Sequence, residues 1–173
     1  MSGIAEGRLR EERKGWRKDH PIGFVARPKK ADDGSTDLMI WDVVIPGKKG
    51  GLFDGCEFNL LMEFSADYPS KAPVVKFVPE IWHLNCWKGG RVCLNILNEP
   101  DGTWHGQWSV SITIKEILMA VQHLLDNPFP AGARPDVQAL YERDRPSYDR
   151  RLKQEADKYR NRQPADDDCI LIE

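Results

Sequence analysis

GFVARPKKADDGSTDLMIWDVVIPG, residues 23–47, decides how this chain folds. Two strand-like runs, GFVARPKK and DLMIWDVVIPG, are split by DDGS, where Asp and Gly favour a tight turn. After a Gly-rich link at 47–55 come CEFNLLMEFS, then YPSKAP, then VVKFV. Four successive strands with short turns predict an antiparallel meander.

Helices are expected on both sides of it. Residues 3–18 read as a helix ending before Pro21. Ala5, Leu9 and Trp16 fall on one apolar face, and Arg10, Arg13, Lys14 and Arg17 line another. Downstream, Thr113 followed by Glu116 is a capping-box signature. Ile114, Ile117, Leu118, Val121, Leu124 and Leu125 form a helical stripe that stops at Pro128. FPAGARP reads as a turn, and residues 136–160 as a short helix and a charged last helix separated near Pro146. Between strands and helices, Pro79 to Trp108 is irregular and rich in Gly, Asn and Trp; so long a loop inside a compact domain is usually functional. The order is that of an α+β fold: N-terminal helix, four-stranded antiparallel meander, active-site loop, C-terminal helices. Residues 1–160 make one domain, and 161–173 have the composition of a disordered tail.

The 173 residues suit a single core. With 40% hydrophobic and 30% charged residues the composition is that of a soluble globular protein. No apolar run approaches the roughly 20 residues a bilayer requires, and the first residues lack the apolar core of a secretory signal. Cys56, Cys86, Cys93 and Cys169 are unevenly spaced, which fits a reducing compartment, nucleus and cytoplasm, better than a disulfide scaffold. The net charge of −2 hides a basic head: residues 8–30 hold nine Lys/Arg and three acids. Without interleaved aromatics or a nucleic-acid motif, this head points to an acidic protein surface.

The chemistry concentrates in HLNCWKGGRVCLNIL, residues 83–97. A structural zinc site wants paired ligands such as CxxC, so the spacing of Cys86 and Cys93 argues against metal. Cys93, within VCLNIL, reads either as a core thiol or as a nucleophile. A protease-type cysteine needs a histidine base; His83 either serves as one or braces the loop, and Asn85 has an amide to offer an oxyanion. The residue types leave these readings open.

Further motifs extend the picture. The opening carries MSGIA, RL, ERK, WRKDHP, GFVA and Pro28; then come IPGKKG at 45–50, DYPSKAP at 67–73, VCLNIL at 92–97 and ITIKEIL at 112–118 after Trp108. With these the chain resembles the ubiquitin-conjugating (E2) enzymes, and among them the SUMO-conjugating branch, over residues 1 to about 160. His83-Leu84-Asn85 aligns with the family's His-Pro-Asn element, eight residues before Cys93. The resemblance implies that Cys93 is the nucleophile that carries SUMO as a thioester and passes it to substrate lysines. It implies Asn85 as oxyanion donor or loop brace, His83 as a structural loop residue and Trp87 as a wall for the incoming lysine. The implied partners are SUMO, its activating E1 enzyme, SUMO E3 ligases and substrates with a ψ-Lys-x-Glu motif, with no cofactor, metal, membrane or nucleic acid.

Departures from the family are informative. Leu84 replaces the motif proline and is expected to loosen the turn holding Asn85. Trp87 stands where the SUMO branch has a tyrosine, and the branch's aspartate falls near Gly132, with Asp136 a candidate substitute. The loop NEPDGTWHGQW is longer than its family counterpart. Arg13, Lys14, Arg17, Lys18 and His20 resemble the surface that meets the activating enzyme and a second, non-covalent SUMO. Lys153 lies in Leu-Lys-Gln-Glu, a match to the modified pattern and a candidate for self-modification. In the tail, Ile170, Leu171 and Ile172 flanked by acids have the make-up of a strand that adds to the edge of SUMO.

Overall fold

The computed structural model describes residues 2–102 and 106–160. Helix α1 spans Ser2–Lys18; strands β1 Val25–Lys30, β2 Thr36–Pro46, β3 Glu57–Glu63 and β4 Val74–Phe77 follow; then come helices α2 Ile114–Asp126, α3 Pro135–Arg143 and α4 Arg145–Arg160. The strands pair in sequence order, each antiparallel to the next. The meander and both flanking helical regions are therefore as the sequence indicates.

The register explains the core. Ala26 lies opposite Val43, Val43 opposite Leu60, and Leu60 opposite Phe77, so one row of apolar side chains crosses all four strands. Because strand side chains alternate, residues two apart along each strand continue the same face. Trp41, Ile45, Phe58, Met62 and Val75 are accordingly buried on it. From α1, Ala5, Leu9 and Trp16 enter this core, as does the whole α2 stripe. Its C-terminal side is closed by α4, whose Tyr148, Leu152, Ala156 and Tyr159 are buried. The rings of Phe58 and Tyr159 meet with centroids 4.7 Å apart.

Helix α2 starts where its cap dictates. The Thr113 hydroxyl accepts from Glu116 N, and Glu116 Oε2 accepts from Thr113 N at 2.8 Å. A further carboxylate arrives from α1: Glu12 Oε2 accepts from Ile114 N at 3.1 Å. Glu12 is in turn paired with Arg8, whose guanidinium also donates to the carbonyls of Val110 and Ile112. The orphan amides of a helix start are thus met partly from another helix.

The two last helices part at Asp144, near Pro146 as expected, with the proline itself inside the first turn of α4. A proline in a first helical turn loses no intrahelical bond. Asp144 caps the new helix, its carboxylate accepting from Ser147 N at 3.0 Å.

Candidate active site

The irregular segment is built on the outer side of β4. Val92 N donates to Val75 O at 2.8 Å, and Phe77 N donates to Gly90 O at 2.9 Å. Residues 87–91 form a tight hairpin: Trp87 N donates to Arg91 O at 2.8 Å and Gly90 N to Trp87 O at 3.0 Å. Its tip is Gly89-Gly90 with φ of +88° and +89°, a conformation that side chains other than hydrogen resist. A Cβ on Gly90 would lie 2.3 Å from Phe77 O.

Alternation then sorts the segment into two faces. Cys86 and Val92 pair across a bridge and are buried. Trp87, Arg91 and Cys93 take the other face and, with Asn95, Asn98, Ala131 and an edge of Val92, line a cleft of about 420 Å³. The 3₁₀ turn Asn95–Leu97 continues this wall, pinned by Gln107 N to Asn95 O at 3.1 Å and Trp108 N to Asn98 O at 2.9 Å.

Three cysteines lie among the described residues, and they differ sharply. Cys56 and Cys86 are buried; Cys93 is half-buried at the cleft. Burial pushes the Cys86 thiol far above the ordinary value. Burial also raises Cys93, while the Arg91 guanidinium pulls in the opposite direction by favouring the thiolate.

His83 is fully buried, with both ring nitrogens engaged. Nδ1 lies 3.1 Å from Asn85 N and therefore accepts, so the proton sits on Nε2 and is donated to Leu125 O at 3.2 Å. Burial holds its pKa down at about 4. A neutral imidazole so occupied has no free lone pair to offer Cys93.

Asn85 is held by one loop residue. Nδ2 donates to Phe129 O at 2.7 Å, and Oδ1 accepts from Phe129 N at 3.0 Å. Its carbonyl accepts from Cys93 N at 2.7 Å. Leu84, expected to loosen this turn, is fully buried in the core. Asp136 does not line the cleft. Arg134 takes both its oxygens, at 3.1 and 3.0 Å, and holds its pKa at about 2.

The remaining sequence candidates are dispersed. On α1, Lys14, Arg17 and Lys18 are exposed and Arg13 is half-buried. His20 stacks on Trp16 with ring centroids 5.3 Å apart. Lys153 is exposed, but Leu152 and Glu155 beside it are buried within α4, at 5% and 4%. Glu155 accepts from Trp82 N and pairs with Lys158. The Leu-Lys-Gln-Glu pattern is therefore part of the fold and is not presented as an extended segment. Ile170, Leu171 and Ile172 lie outside the described residues.

Sequence reasoning missed Arg91, Asn95 and Asn98. Arg91 was within reach, since a residue two before Cys93 in an extended run shares its face. The partners of Asn85 and Glu80 had no comparable signal.

Among the described residues the cleft offers one thiol, one cation, an indole wall and two carboxamides, with no carboxylate or imidazole in its lining. It suits exchange of an acyl group between sulfurs, which needs no local base, better than hydrolysis. A family model described as "Ubiquitin-conjugating enzyme" matches residues 8–156. The chain is 48% identical over 159 residues to the SUMO-conjugating enzyme SCE1 of Arabidopsis thaliana, covering 91% of this chain and 96% of that protein. It is 43% identical to the SUMO-conjugating enzyme UBC9 of Caenorhabditis elegans, over 92% of this chain and 93% of that one. Against the Sumo-conjugating enzyme ubc9 of Dictyostelium discoideum the identity is 42%, over 92% and 98%. A cysteine cleft beside an antiparallel meander between helices is what this match accounts for: the chain belongs to the ubiquitin-conjugating enzyme family.

Proposed function

We propose that this chain is a SUMO-conjugating enzyme and that Cys93 is the residue that carries SUMO. The Cys93 thiolate attacks the thioester carbonyl of SUMO held by the activating enzyme. A new C–S bond forms, and the activating enzyme's thiolate leaves. A neutral lysine amine then attacks the carbonyl of the Cys93 thioester. An amide bond forms, the amine proton passes to solvent, and the Cys93 thiolate departs.

The observation that carries this reading is the cleft itself, where a half-buried thiol meets a wall with no carboxylate or imidazole among the described residues. The first step exchanges one thioester for another of similar energy, so it needs no base. The second step needs the amine unprotonated. In water only about one lysine in a thousand is neutral near pH 7.4. Trp87 and Ala131 supply apolar surface, Arg91 a like charge, and both disfavour the ammonium form. Asn85, clamped by Phe129, acts as the brace of this wall.

Partner contacts complete the proposal. Arg13, Lys14, Arg17, Lys18 and His20 meet the activating enzyme and a second SUMO. Ligases and substrates with an acidic residue near the lysine follow from the same reading, as does residence in nucleus and cytoplasm. The test is incubation with ATP, the cognate activating enzyme and either SUMO or ubiquitin, followed by gels with and without thiol. A thiol-sensitive SUMO adduct lost in Cys93→Ala supports the reading; an adduct with ubiquitin alone, or with neither, overturns it.

A further inference from the structure

Glu80 lies outside the cleft, yet the geometry assigns it to the acceptor step: we propose that Glu80 is a positioning residue, which fixes the Trp87–Arg91 hairpin by capturing the amide of Gly89. The inference rests on the acceptor role of the cleft described above.

The carboxylate of Glu80 accepts a hydrogen bond from Gly89 N at the hairpin tip. Its own backbone is tied to the floor of the domain, where the hydroxyl of buried Tyr159 on α4 donates to Glu80 O at 3.4 Å. The hairpin needs such a fastening. Two consecutive glycines at positive φ form the least restrained kind of turn once released. One flank is held by β4 through Phe77 N and Gly90 O. The tip, Gly89, is held by Glu80.

What the hairpin carries makes this matter for function. Trp87 and Arg91, its two ends, are rim residues of the cleft. Cys93 is anchored separately, by its own N–H on Asn85 O and by Val92 N on Val75 O. Releasing Gly89 therefore loosens the wall that meets the lysine and leaves the thiol in place. Loading and transfer separate: uptake of SUMO onto Cys93 is unaffected, while the acceptor lysine is received less well.

The experiment compares Glu80→Ala and Glu80→Gln with the parent chain. Glu80→Gln keeps a carbonyl acceptor for Gly89 N, and Glu80→Ala removes it. Amide exchange at Gly89, read by NMR on the unloaded protein, accelerates at least about tenfold in Glu80→Ala and stays near the parent rate in Glu80→Gln. In single-turnover discharge from preformed thioester, KM for an acceptor peptide rises about five- to tenfold in Glu80→Ala, with thioester formation unchanged. Equal Gly89 exchange in Glu80→Ala and the parent overturns the proposal, whatever the enzyme carries. So does an unchanged acceptor KM, or a loss of thioester formation in step with transfer. A parent chain that loads neither SUMO nor ubiquitin removes the enzymatic reading instead, and the exchange measurement still decides whether Glu80 holds the tip.

Discussion

The side-chain amide of Asn85 is held at both ends by the backbone of one residue, Phe129, 44 positions away in sequence. One amide N–H and the carbonyl oxygen are engaged, tying Asn85 to the segment after α2. Asn85→Ala leaves a buried N–H and C=O unpaired, at a cost of about 2–4 kcal/mol. The expected outcome is a Tm lower by roughly 5–10 °C, with transfer reduced. Calorimetry that finds Tm unchanged while transfer collapses would return Asn85 to the oxyanion role.

Cys93 and Cys86 are close in sequence and opposite in environment. Cys93→Ala should abolish the thiol-sensitive adduct with little change in Tm. Cys86→Ala should keep the adduct and cost about 1–2 kcal/mol, because a packed sulfur is lost from a closed core. Non-reducing gels and a melting curve for each variant check both halves.

The Cys93 thiol titrates above the ordinary cysteine value because burial disfavours its charge, and Arg91 partly offsets this. Removing the cation leaves burial unopposed. Arg91→Ala should therefore move the alkylation profile of Cys93 to higher pH and slow the reaction near neutrality. A profile unchanged by the substitution would show that Arg91 does not act on the thiol.

His83 gives a pH dependence of stability. Its folded pKa, about 4, lies below the unfolded value of 6.5. The unfolded chain therefore binds the proton first as pH falls. Stability from this residue is complete above about 6.5 and declines down to about 4, by at most roughly 3 kcal/mol. Protonation would also aim an N–H at Asn85 N, which already points at Nδ1. Denaturant midpoints across this window should flatten in His83→Gln.

Lys153 should stay unmodified in a substrate-free reaction. Leu152 and Glu155, which a conjugating site would have to read, are buried in α4. Mass spectrometry at full thioester loading checks this; a branched peptide at Lys153 would show that α4 opens.

The elements legible in the sequence were those with a period or a cap. Trp41, Val43 and Ile45 alternate, the α2 stripe repeats at helical spacing, and Thr113 with Glu116 announces a helix start. The break near Pro146 was legible because a proline suits a first helical turn. The burial of Leu84 was not, because a single substituted position carries no period. The fastenings of the site were not legible at all. Phe129 on Asn85 and Glu80 on Gly89 depend on where separate loops meet, and no local pattern encodes that.

The burial of Ala156 and Tyr159 against the sheet has a consequence for synthesis. The Cys56 thiol donates to Ala156 O, 100 residues later, and Arg160 reaches back to the carbonyls of Leu52 and Asp54. A nascent chain has its meander long before these partners exist. Until α4 clears the ribosome, Phe58 and its neighbours remain uncovered, a sticky surface of the kind chaperones guard. The domain closes only once its last helix is made, so truncation within α4 should yield aggregates rather than a weakened enzyme.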